Sequence, residues 1–156
     1  MARLLFCYVT GFVPMQHDPK ICETIAFNLL FNSCMKPTGT ITGLTYGELL
    51  ENPDTRAFIT GLAEETLQAY AAAYGYRPAE TGKHYVDEVL SKIAFPRSQG
   101  HKSSMLQDLQ TGRKTEIDFL TGAVVRLAKS AGLSATRHQS ICQLIKACEA
   151  ADTFVA

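Results

Sequence analysis

A chain of 156 residues fits one domain, long enough to withdraw roughly 70% of its unfolded surface from water without disulfide or metal staples. Fifteen Lys and Arg balance fifteen Asp and Glu, which argues against the basic footprint of a nucleic-acid or polybasic membrane binder and leaves small ligands and protein partners open. The five cysteines, Cys7, Cys22, Cys34, Cys142 and Cys148, are odd in number and hold no C-x-x-C pair, so they read as buried thiols in a reducing cytoplasm, with no metal site.

The first apolar run, LLFCYVTGFV at residues 4–13, follows the single Arg3. It is too short to cross a bilayer, and no small-x-small cleavage site follows, so it reads as a packed helix or strand remnant ended by Gly11. From Asp18 to Lys36 the apolar residues Ile21, Ile25 and Leu29, with Ala26 and Leu30 beside them, recur at helical spacing until Pro37 and Gly39, predicting a first helix that stops there. Asn52-Pro53-Asp54 is an N-cap with proline at the first helical position, and Ile59, Leu62, Thr66, Ala69 and Ala73 form the stripe of a long second helix closed by Gly75. Tyr85 or Val86 with Val89 and Ile93 mark a third, ending before Pro96. Thr115 is placed to cap a fourth, whose stripe Ile117, Leu120, Val124, Leu127, Ala131 runs to Gly132. Thr136 with Gln139 forms a capping box for a last helix carrying Ile141, Leu144, Ile145 and Cys148. No alternating run of useful length occurs beyond the N-terminus, and there are no repeats or linkers. The expected fold is all-α: a helical domain over residues 18–156 after a short segment, 1–17.

The chain carries no G-x-G-x-x-G, no G-x-x-x-x-G-K-[ST], no H-E-x-x-H and no G-x-S-x-G. Any cofactor site must therefore come from elsewhere. His17, His84, His101 and His138 stand far apart, beside loops or helix starts, and read as solvated surface groups. Within the first helix, Lys20, Thr24, Asn28, Asn32 and Lys36 fall every four residues and so lie along one slowly drifting line. Asparagine is a poor helix-interior residue, because its amide competes for backbone hydrogen bonds. Two of them one turn apart either face water or project donors and acceptors into a cleft. Ser103-Ser104 before Met105-Leu106-Gln107-Asp108 reads as a capped short helix, and Thr115-Glu116-Ile117-Asp118 as another helix start, with Glu116 in its first turn. Both are ordinary caps unless they converge with the amide row on one small acid.

The stretch SSMLQDLQTGRKTEIDFLTGAVVRLAKSAGL, with FNLLFN at 27–32, resembles the C-terminal domain of the ketopantoate reductases (2-dehydropantoate 2-reductases), and the likeness runs in order from about Gly11 to Glu149. The resemblance implies the helical architecture of 6-phosphogluconate-dehydrogenase-like C-terminal domains. It also implies an NADPH-dependent reduction of a 2-keto acid, 2-dehydropantoate, for pantothenate synthesis, in a cleft shared with a Rossmann domain. Carried over by position, Asn28, Asn32 and Ser104 would bind substrate and Glu116 would be the active-site glutamate. The catalytic lysine of the family falls at Thr24, where a hydroxyl supplies no positive charge; Lys20 lies one turn further back. No nucleotide-binding motif accompanies these residues. The expectation is thus a reductase half working with a Rossmann partner in trans, with an inactive relic or a dimerisation or ligand-binding module as alternatives. NADP belongs to the family rather than to this chain alone. A homo-oligomer and a cytoplasmic location are expected, with neither nucleic acid nor membrane as partner.

Overall fold

A computed structural model of the chain describes residues 21–94 and 98–151. The expected segment 1–17, and Lys20, lie outside the described residues. Among those described, every regular element is helical, as the apolar period requires. None of the helices is long and apolar enough to cross a membrane.

Helix α1 spans Ile21–Thr42 and is longer at its C-terminal end than the sequence predicts, because Pro37 lies inside it. Proline has no N–H to give the carbonyl four residues back, that of Ser33. The turns beyond it are reinforced by side chains: the hydroxyls of Thr38, Thr40 and Thr42 donate to the carbonyls of Cys34, Lys36 and Thr38 at 2.7, 2.7 and 2.8 Å. Gly43, at φ 71°, ends the helix in the left-handed region. A short helix α2, Tyr46–Glu51, follows with a complete capping box between Thr45 and Glu48. Helix α3, Pro53–Tyr74, begins and ends where the sequence predicts: Asn52 Oδ1 accepts from the amides of Asp54 and Thr55, and Gly75 closes it at φ 66°.

Helix α3 is the hub of the fold and packs against α1, α2, the helical segment at 82–94 and the helices at 121–130 and 136–150. Its neighbour α4, Gly82–His84, runs directly into a π-helical segment, Tyr85–Ala94. The wider winding changes which side chains share a face: Tyr85, Val86 and Leu90 are buried, whereas Val89, expected in the stripe, is only partly so. Gly82 permits the closest approach in this region, since a Cβ there would lie 2.4 Å from the Thr60 carbonyl oxygen and 2.9 Å from the Glu64 nitrogen.

Three C-terminal helices complete the bundle: α5, Ser104–Gln110; α6, Thr121–Ser130; and α7, Thr136–Ala150. Four expectations fail here. Residues 115–120 form a tight turn rather than the start of α6, with the Glu116 carbonyl accepting from both Phe119 and Leu120 at 3.0 and 3.1 Å. Thr136 is the first residue of α7 rather than its cap, and no local side chain caps that helix. Its first amides are taken by Glu65 of α3, which accepts from Arg137 N at 3.0 Å and His138 N at 3.1 Å. This places His138 fully inside, correcting its reading as a solvated group, while Leu144, expected in the core, is 54% exposed. His84 and His101 are exposed as expected. Cys34 and Cys142 are buried, and burial pushes the Cys34 thiol up to about 12, so it is inert.

Candidate functional site

The polar row on α1 continues past the residues that reveal it. Four residues advance a helix by about 400°, so each step of the row drifts by about 40°. The drift carries the row from water towards the core: Asn28 is exposed, Asn32 and Lys36 are half-buried, and Thr40 is fully buried. Within the row, Asn32 Nδ2 donates to Asn28 Oδ1 at 2.7 Å, one turn back.

The other half of the site comes from residues 103–118. The Lys36 ammonium donates to Glu116 Oε1 across 80 positions of sequence. One turn further along α1, the Thr40 and Ser103 hydroxyls meet at 3.1 Å in a buried contact. Thr40 gives its only hydroxyl hydrogen to the Lys36 carbonyl, so Ser103 is the donor of that pair. Ser103 therefore serves as a bridge to α1 and makes no cap to α5, while Ser104, its neighbour, is the first helical residue and is exposed.

Glu116 is held in place by what flanks it. The Thr115 amide and hydroxyl both donate to Glu149 Oε1 of α7 at 2.7 Å, Ile117 is in the core, and Asp118 pairs with Lys146 at 2.6 Å. Residues 115, 117 and 118 are thus tied to α7 or buried, and Glu116 among them faces α1. Tyr46, at the start of α2, stacks edge-on with Phe31 at 5.7 Å, and burial raises its phenol above the usual range.

Of the residues the sequence singled out, Asn28 and Asn32 are bonded to each other on α1, Glu116 meets the same helix at Lys36, and Ser104 is exposed at the start of α5. Thr24 is not brought to Glu116: it is exposed, and twelve residues separate it from Lys36, about 18 Å along the helix axis. Sequence reasoning gave Thr40 and Tyr46 no role, placed Lys36 in the row without a partner, and read Ser103 only as part of a helix cap. The four-residue spacing already contained Lys36, but nothing local announced its long-range partner.

Among the described residues, the glycines with positive φ are Gly43, Gly75, Gly112 and Gly132, and each follows the end of a helix instead of gathering into a phosphate-cradling loop. No group of three or more His, Cys, Asp or Glu side chains among the described residues is arranged to hold a metal ion.

Residues 20–149 match the family described as ketopantoate reductase PanE/ApbA, C terminal. The chain belongs to this family. It is 29% identical over 137 residues to the 2-dehydropantoate 2-reductase of Aquifex aeolicus, covering 88% of this chain and 44% of that protein. The corresponding enzyme of Archaeoglobus fulgidus is 28% identical over 118 residues, 76% of this chain and 37% of that protein. The chain thus spans less than half the length of these relatives. Among solved structures, a PanE/ApbA family ketopantoate reductase from Ralstonia eutropha superposes with a TM-score of 0.73 at 22% identity, over 86% of this chain and 43% of that one. A D-mandelate dehydrogenase bound to NADH and anilino(oxo)acetate superposes at 0.75, also at 22% identity, over 86% of this chain and 55% of that one. These two likenesses establish the fold, a ketopantoate-reductase-type helical domain.

Proposed function

We propose that this chain supplies the acid-binding half of an NADP-linked 2-oxo acid reductase, with 2-dehydropantoate as substrate and pantoate as product, in the cytoplasm. The observation that carries the reading is the convergence of the α1 row with residues 103–116 through the Lys36–Glu116 and Thr40–Ser103 contacts. In this reading the amides of Asn28 and Asn32 and the hydroxyl of Ser104 bind the oxygens of the acid. Glu116 orders the proton that accompanies reduction, and Thr24 occupies the position that the family resemblance gives to a lysine. The nucleotide is held by a Rossmann domain, supplied by a second protein or by a longer chain, because the described residues offer no cradle for it. A homo-oligomer fits the description of the Staphylococcus aureus ketopantoate reductase as dimeric.

Titration of the 156-residue chain with pantoate, followed by amide NMR, tests the reading directly. Shifts confined to Asn28, Asn32, Lys36, Ser104 and Glu116 are expected at millimolar ligand. No shifts there, or shifts of equal size with acetate, would remove it. Addition of a compatible Rossmann domain should then give oxidation of NADPH dependent on 2-dehydropantoate.

A further inference from the structure

The positive charge of the site lies at the opposite end of the amide row from Thr24. Lys36 is one turn beyond Asn32 on the same line of α1, its side chain is 18% exposed, and its ammonium is held by Glu116. We infer that Lys36 is the residue that takes the carboxylate of the acid, and that the ligand does so by displacing Glu116 from it. The inference rests on the proposed reading of the site as an acid-binding cleft and assigns its charged contact.

The two members of the ion pair differ in how well they tolerate separation. Glu116 is 43% exposed in its side chain, so on release its carboxylate returns to water at little cost. Lys36 sits deeper, in a setting of lower effective dielectric, and needs an anion beside it. Exchange of one carboxylate for another keeps that charge paired throughout. Asn32, one turn away and already bonded to Asn28, is positioned to hydrogen-bond the remaining oxygens of a ligand seated on Lys36.

Other cations on the bundle are engaged away from this row: Arg56 with Asp87, Arg77 with Glu64, Arg113 with Asp108 and Lys146 with Asp118. Among the described residues of the row, Lys36 is the cation. This placement makes the lysine expected at position 24 unnecessary for anion binding.

Pantoate affinity, measured by NMR titration of the 156-residue chain and its variants, tests the assignment. Lys36→Met should weaken binding about tenfold or more, the scale of a lost charge-assisted hydrogen bond, and Lys36→Arg should retain most of it. Glu116→Gln should tighten binding several-fold, because the competing carboxylate is gone. Retained affinity in Lys36→Met, with the unaltered protein binding normally, would overturn the role of Lys36 and leave the acid-binding reading standing. Weaker binding by Glu116→Gln would overturn the exchange, since it would mean that the glutamate itself holds the ligand. Failure of the unaltered protein to bind pantoate would remove both the inference and the reading beneath it.

Discussion

His138 shows how a single side chain can depart from its sequence neighbourhood. Its Nε2 lies 3.0 Å from the Leu62 carbonyl and 2.9 Å from the Thr66 hydroxyl, and a carbonyl only accepts, so the ring is the neutral tautomer with hydrogen on Nε2. Nδ1 is buried with no partner among the described residues, so a second proton would introduce an N–H with no acceptor there. Desolvation pushes the imidazole down to about 4, against the weaker upward pull of the Leu62 hydrogen bond and the Glu65 charge. The folded value lies below the ordinary 6.5, so the unfolded chain binds the proton more readily. His138 therefore subtracts nothing above pH 6.5 and progressively destabilises the fold as pH falls from 6.5 to 4, by roughly 3 kcal/mol in all. Urea unfolding at pH 7 and pH 4.5 should show this loss, and His138→Gln should flatten it; an equal slope in both proteins would count against the assignment. The reading of His138 as a surface group failed because its burial is created by α3, which lies more than sixty residues away in sequence.

At the scale of elements, legibility follows the locality of the signal. Helix α3 was readable at both ends because Asn52, Pro53 and Gly75 act on their own neighbours. Helix α1 overran its predicted stop because three threonine hydroxyls support the turns around Pro37. Helix α7 was placed correctly, but its cap is Glu65, a tertiary contact invisible in a local window. Glu65→Ala should accordingly cost about 2 kcal/mol, a lost cap plus two uncompensated amides, measurable as a lowered denaturation midpoint. Loss of less than about 0.5 kcal/mol would show that water replaces the carboxylate freely. Gly82→Ala tests the neighbouring contact: with the Thr60 carbonyl only 2.4 Å from the new Cβ, α4 must move, and a destabilisation of about 1–3 kcal/mol is expected in the same assay.

Across the whole molecule, the all-α architecture was legible from apolar period alone, and the candidate site was legible in part. Asn28 and Asn32 stood out because asparagine is unusual inside a helix, whereas Lys36 looked like any solvated lysine until the fold set Glu116 against it. Large apolar side chains are also exposed on two of these segments: Ile25 on α1 is 52% exposed, and Phe119, close in sequence to Glu116, is 78% exposed. Such groups favour contact with another protein surface. The 156-residue chain should therefore associate with rising concentration, and Phe119→Ser should shift it towards monomer in light scattering. Strictly monomeric behaviour of the unaltered chain over a wide range would show that these residues are tolerated in water.

The Glu65 cap also orders events in time. Helix α7 contains no start signal of its own, so its first turn gains its acceptors only when α3 has already formed and come within reach. During synthesis or refolding, α3 can grow from its local caps early, while α7 must wait for a loop of about seventy residues to close. Substitutions in the cap should then leave the folding rate nearly unchanged and speed unfolding, the pattern of a contact made after the transition state.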